Sequence, residues 1–189
     1  IWRSGEAPDA AALERATGLL VWHEQAVTGD FLDAMPNCRI VVRSGVGYDN
    51  IDLRAAGLRG IPVCNTPDYG TAEVADHAIA MLLSLERNLL ALNARLVADP
   101  AAGFSYKAVP LPRRLAGRRI GIVGLGRIGT ATALRAKAFG MQVGVHDPHI
   151  PDGQEIAVGV ARFGELLELA RWADVLSLHA PLNPETARM

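Results

Sequence analysis

Cysteine is scarce in this chain: Cys38 and Cys64 are the only two among 189 residues, and no CxxC pair or histidine at ligand spacing accompanies them. A disulfide framework is therefore excluded, no metal site is expected, and both thiols read as buried, reduced side chains of a cytoplasmic protein. Charge of one sign is also lacking. The formal balance is −1, which argues against nucleic acid as a partner, since phosphate-backbone binders carry a basic surplus. No apolar run approaches the ~20 residues of a membrane span, so no membrane partner is expected. The opening residues do not read as a signal peptide. Aromatics make up 5%, and there is no repeat or low-complexity tract. What the chain does have is apolar material, half of all residues, enough for the core of one large or two small domains.

The richest segment runs from Arg118 to Asp147. Ile120, Ile122 and Val123 form an apolar run suited to a buried parallel strand. Gly124-Leu125-Gly126-Arg127-Ile128-Gly129 follows, then a helical pattern to Phe139, Gly140 as a C-terminal cap, and a second strand from Met141 to His146. Asp147 stands at its tip, eighteen residues after Gly129. Glycines at this spacing can make an ordinary turn, and an Asp before Pro148 can be a turn residue. In the order strand, glycine loop, helix, strand, acid, they build a dinucleotide cradle. Gly124 makes the tight turn, Gly126 lets backbone approach a pyrophosphate, and Gly129 lets the helix pack closely. Backbone N–H groups of Arg127 and Ile128, with the helix dipole, hold the phosphate charge. Asp147 accepts from the adenosine ribose hydroxyls and repels the extra phosphate of NADP. No Lys or Arg lies within the ten residues after it, so NAD is the expected cofactor.

Upstream, strands at 18–22, 39–42 and 61–64 alternate with helices at 30–35 and 51–58, a pattern that implies a parallel sheet with helices on its faces. Thr71 to Val97 reads as one helix of about 40 Å, capped by Thr71, with Ala78, Leu82, Leu85, Leu89, Leu92 and Leu96 in a stripe. It is expected to serve as a spine between domains or a subunit interface, or else as a core helix. The organisation expected is a substrate domain over 1–68 and a second domain over 69–189 that begins with this 71–97 spine. Residues 99–112 read as a loop, as do 148–159, followed by a helix over 163–172 and a strand over 174–179. The loop 43–50 places Gly45 and Gly47 beside Arg43, chemistry suited to a small carboxylate, although a simple strand-to-helix turn reads the same way.

Val42 to Leu53, Val63 to Pro67, Ala72 to His77, Gly121 to Gly129, Ala136 to Gly140, His146 to Pro148 and Ala173 to Pro181 together resemble the D-isomer-specific 2-hydroxyacid dehydrogenases. The nearest branch looks like the C-terminal-binding-protein and phosphoglycerate dehydrogenase-like members. The resemblance implies a Rossmann-type doubly wound parallel sheet for NAD and a smaller flavodoxin-like α/β substrate domain, both incomplete here. It implies that Arg43 faces the substrate carboxylate and that the Val46 and Gly47 backbone holds substrate. Gly124, Gly126, Arg127, Ile128, Gly129 and Asp147 match the cofactor site, Ala180 and Pro181 the wall beside the adenosine, and Thr186 a polar cofactor contact. Thr186 could equally be a helix N-cap. The family's catalytic arginine, carboxylate and histidine all fall after the point matching Met189, so no catalytic residue is assigned within this chain. The sequence is expected to be the middle of a longer, homodimeric enzyme acting on a small 2-hydroxy or 2-oxo acid. An NAD-responsive scaffold of the same fold is the alternative. A methyltransferase is disfavoured by the two-residue gap before Gly129.

Overall fold

The computed structural model describes residues 9–105, 107 and 109–189. They form two units, one running up to Gly70 with Pro181–Met189 added, the other spanning Thr71–Ala180. The last nine residues thus group with the first unit, whereas the sequence reading had put them in the second domain.

The first unit begins with helix α1 (Ala10–Arg15), capped by the Asp9 carboxylate. Strands β1 (Leu19–Val21), β2 (Val41–Arg43) and β3 (Val63–Asn65) form a parallel sheet in that order. Between them run α2 (Gly29–Asp33) and α3 (Leu53–Leu58), each started by a side-chain cap. Thr28 Oγ1 accepts from the Phe31 N–H at 3.2 Å, and Asp52 Oδ1 from the Ala55 N–H at 2.8 Å. These caps satisfy helix donors that would otherwise be orphaned. Alternation in the strands sends Leu19, Val21 and Val41 into a core with Leu32, Met35, Ile51 and Ala56. Leu20 and Cys64 point to the opposite, exposed face, so of the two thiols expected to be buried only Cys38 is.

In the second unit, helix α4 (Thr71–Glu86) is followed by α5 (Leu89–Ala98). The single 40 Å helix over 71–97 expected from the sequence is thus two helices. Asn88 lies between them in the left-handed region (φ 54°), which asparagine tolerates better than most residues. Its Nδ2 donates to the Pro110 carbonyl at 2.7 Å. The buried face also differs from the expected stripe. Ala75, Ile79 and Leu82 are buried, α4 packs along the later helix α6, and Leu85 is 72% exposed. Thr71 is the first helical residue rather than the cap, and its Oγ1 is buried without a hydrogen-bond partner.

Strands β4 (Arg119–Val123), β5 (Gln142–His146), β6 (Ala161–Arg162) and β7 (Val175–Leu178) form a parallel sheet in the order β6-β5-β4-β7. Between its strands run α6 (Arg127–Ala138), α7 (Gln154–Val158) and α8 (Leu166–Trp172). The short α1 and α7 were not foreseen. One face carries Ile120, Ile122, Val143 and Val145 toward α4 and α6. On the other, Gly121 and Gly144 sit side by side in register. A Cβ on Gly144 would come within 2.6 Å of Trp172 and 2.7 Å of Phe163, and one on Gly121 within 3.0 Å of Ala173 and Leu169. The paired glycines form a flat floor that lets α8 lie close. At the far end of the sheet Arg118 pairs with Glu86, and Asp174 pairs with Arg119 at 3.2 Å. Hydrogen bonds from Arg119 hold the Asp174 carboxyl below the usual carboxylate range.

Candidate functional site

In the second sheet β4 is the first strand, and the chain leaves it toward β5 on one side and returns to β7 on the other. The crevice beyond the carboxyl ends of two such strands is where open α/β sheets take ligands. The 124–129 loop occupies that position.

Gly124 is required twice over. Its φ is +92°, and a Cβ there would lie 2.9 Å from the Ala180 nitrogen and the His179 carbonyl carbon. Its N–H donates to the His146 carbonyl at 3.0 Å. Leu125 then turns its side chain into the core, where it is fully buried. Gly126 is the N-cap of α6 in extended backbone (φ −72°, ψ −163°) and brings no side-chain oxygen to the first-turn N–H groups. Nothing lies within 4 Å of where its Cβ would be, so the approach to the twelve-residue helix tip is open. At Gly129 a Cβ would stand 2.0 Å from the Gly124 carbonyl oxygen. The helix is pressed directly onto the loop, closer than the strand contact foreseen from the sequence.

Asp147 holds this arrangement from β5. Its Oδ2 accepts the Leu125 N–H at 2.8 Å and its Oδ1 the His149 N–H at 2.9 Å. The carboxylate is half-buried beside the glycine loop, and each oxygen retains acceptor capacity for a second donor. An acid that both braces the loop and keeps lone pairs available suits a ribose diol next to a diphosphate. Two partners of the loop were not recognised in the sequence. Thr130 Oγ1 and Gln154 Nε2 both donate to the Leu125 carbonyl, at 3.2 and 2.9 Å. Thr130 was legible in principle, one residue past the motif, whereas Gln154 reaches the loop only through the unforeseen α7.

The Ala180 backbone lies against Gly124. Thr186 is committed to its own turn: its Oγ1 donates to the Pro181 carbonyl at 2.6 Å and accepts the Asn183 N–H at 2.9 Å. No helix follows it among the described residues. His179 Nε2 lies 2.9 Å from Ser177 Oγ, and burial pushes its pKa below the ordinary value.

In the first unit the 43–50 loop is latched from β3. Thr66 N–H donates to the Gly45 carbonyl at 3.0 Å, and Asn65 Nδ2 donates to the Val46 carbonyl at 2.8 Å. In a trans peptide the carbonyl and the following N–H point in opposite directions. Latching these two carbonyls therefore turns the Val46 and Gly47 N–H groups away from β3. Asn65 and Thr66 lay within a family-like block but had been given no role. Arg43 was read as a cationic group beside the loop. It is 8% exposed, donates from Nη1 to the Ser44 carbonyl at 2.8 Å, and keeps Nε buried without a partner. The guanidinium lies against Gly45, where a Cβ would meet Nη1 at 1.7 Å.

With this geometry in view, residues 79–189 match the family model described as the D-isomer specific 2-hydroxyacid dehydrogenase, NAD binding domain. A D-3-phosphoglycerate dehydrogenase of Methanocaldococcus jannaschii is 36% identical over 174 residues, 92% of this chain and 32% of that protein. One from Mycobacterium bovis is 37% identical over 177 residues, 94% of this chain and 33% of its own length. The chain thus spans about a third of the curated relatives it matches. Among solved structures, a D-lactate dehydrogenase from Aquifex aeolicus complexed with NAD and lactic acid superposes with a TM-score of 0.86 at 30% identity, covering 95% of this chain and 52% of that one. A glycine loop pressed onto its helix, an acid braced against that loop, and a family match over more than half the residues lead to one assignment: the chain belongs to the D-isomer specific 2-hydroxyacid dehydrogenases.

Proposed function

We propose that the whole protein is an NAD-dependent oxidoreductase that interconverts a D-2-hydroxy acid and its 2-oxo acid. The observation that carries this reading is the pairing of an open helix tip at Gly126 with the Asp147 carboxylate anchored to the same loop. Gly124, Gly126, Arg127, Ile128 and Gly129 hold the diphosphate through backbone and helix dipole. Asp147 takes the ribose hydroxyls and disfavours a 2′-phosphate through like charge. Ala180 and Pro181 wall the adenosine, with Thr186 nearby in sequence as a polar contact. When bound, the nicotinamide supplies the hydride exchanged with C2 of the acid.

The outward N–H groups of Val46 and Gly47 are the substrate's carboxylate anchor, a nest of the kind that binds small anions. Arg43 contributes its buried positive charge from beneath that loop. No residue of this chain is assigned to general acid–base chemistry or carbonyl polarisation. The substrate is a small 2-hydroxy or 2-oxo acid, the assembly a homodimer and the compartment the cytoplasm. No helix among the described residues is long and apolar enough to cross a membrane.

The test is spectrophotometric. The intact protein, mixed with NADH and glyoxylate, pyruvate or hydroxypyruvate in turn, is expected to oxidise NADH with at least one of them and to use NADPH more slowly. NADH binding without turnover on any 2-oxo acid would favour a scaffold role, and no binding at all would remove the oxidoreductase reading.

A further inference from the structure

The side chain that the cofactor site does not explain is Gln154. It opens α7, seven residues beyond Asp147, after Gly153 has reversed the chain with φ +91°. Its side chain is half-buried and does not cap its own helix. Instead Nε2 donates to the Leu125 carbonyl at 2.9 Å, where Thr130 Oγ1 also donates from the first turn of α6. A backbone carbonyl has two lone pairs, so both donors can be served at once.

The consequence concerns the peptide between Leu125 and Gly126. Its carbonyl end is held from α6 and α7, and the Leu125 N–H on the preceding peptide is held by Asp147. Because the peptide is planar and trans, fixing the carbonyl fixes the Gly126 N–H in the opposite direction. That direction is away from α7, and the space beside Gly126 where a side chain would stand is open. Glycine is the residue most able to rotate this peptide, so an unclamped loop would lose the orientation easily.

We propose that Gln154, together with Thr130, is a positioning residue for the dinucleotide: by sharing the Leu125 carbonyl, the two lock the 125–126 peptide so that its N–H is presented to the pyrophosphate. This rests on the NAD reading of the loop. Gln154 touches no cofactor atom in this account; its effect passes through the Leu125 carbonyl.

The experiment measures binding of NAD, ADP-ribose and adenosine to the intact protein by calorimetry. The variants are Gln154→Met, which keeps the length without a donor, Gln154→Glu, which keeps the shape, Thr130→Val, and the Gln154→Met/Thr130→Val pair. One lost hydrogen bond to a shared carbonyl corresponds to about a three- to tenfold loss of affinity. NAD and ADP-ribose are expected to weaken by that factor in each single variant, and adenosine, which lacks the pyrophosphate, to bind unchanged. Gln154→Glu, which turns a carboxylate toward the carbonyl, weakens them at least as much as Gln154→Met. The double variant should lose more than the product of the singles, since each donor compensates for the other's absence. Unchanged ADP-ribose affinity in both Gln154 variants refutes the proposal, as does an equal loss for adenosine, which a general structural defect would produce. Failure of the unaltered protein to bind NAD would instead remove the cofactor reading beneath it.

Discussion

Two glycines three residues apart should fail in opposite ways when a single methyl group is added. At Gly129 the new Cβ would stand 2.0 Å from the Gly124 carbonyl oxygen, so loop and helix must separate by more than 1 Å to reach ordinary contact (roughly 3.5 Å). Neither side yields easily. Gly124 is backed by His179 and Ala180 at about Cβ-contact distance, and Leu125 is anchored in the core. Helix α6 cannot retreat without opening the contacts of Thr132, Ala133 and Ala136, all essentially fully buried. Overpacking of this kind costs about 1–3 kcal/mol, and alanine's better helix propensity offsets up to ~1 kcal/mol of it. Gly129→Ala should therefore lose roughly 1–2 kcal/mol in urea denaturation followed by circular dichroism. Gly126→Ala meets no neighbour and needs no unusual backbone angle, so its stability should stay within ~0.5 kcal/mol. Its methyl group instead occupies the approach to the helix tip, and NAD affinity should fall by at least about tenfold in a calorimetric titration. A Gly129→Ala protein with an unchanged urea midpoint, or a Gly126→Ala protein binding NAD normally, would falsify the account of the loop.

The buried Thr132 hydroxyl has no hydrogen-bond partner, so Thr132→Val should stabilise the protein by about 1 kcal/mol and raise Tm by roughly 2–4 °C; a lower Tm would show that the hydroxyl is satisfied after all. Asp147→Asn keeps an acceptor for the Leu125 N–H while removing the charge, so the preference for NADH over NADPH should narrow by about an order of magnitude; an unaltered ratio of KM values would refute the like-charge argument. Burial lowers the pKa of His179 below 6.5, so between its folded pKa and about 6.5 the unfolded chain binds the extra proton. Stability should accordingly rise with pH through that window and be lost as pH falls through it. His179→Gln should flatten the slope in pH-dependent denaturation, and an identical slope would assign the effect elsewhere. Asp174, whose carboxyl is held low by Arg119, acts in a separate window below pH ~4, where its contribution disappears as acid protonates it.

Much of the site was legible because its chemistry is local. The order of apolar strand, three glycines, helix and acid needs only a few consecutive residues to declare itself, and Gly124, Gly126, Gly129 and Asp147 take the positions their spacing implies. Asn88 shows where such reading stops. The leucine spacing on either side of it is continuous, but a left-handed residue anchored to the distant Pro110 divides the helix and redirects the stripe. Arg43 shows the same limit for charge. Next to two glycines it reads as a cation suited to a small carboxylate, yet the open space at Gly45 is what allows its guanidinium to fold inward.

The amino-acid order alone determined the alternation of strands and helices, the glycines of the strand-to-helix loop and the acidic residue that follows them, because propensity, turn chemistry and hydrophobic period act between near neighbours in the chain. Which helix face is buried, that Gly121 and Gly144 meet across two strands to seat Leu169, and that Gln154 and Asn65 each reach back to hold a loop were decided only by tertiary structure. The two loop-holding contacts join residues 19 and 29 positions apart, and no local pattern encodes a partner that becomes adjacent only when the sheet assembles.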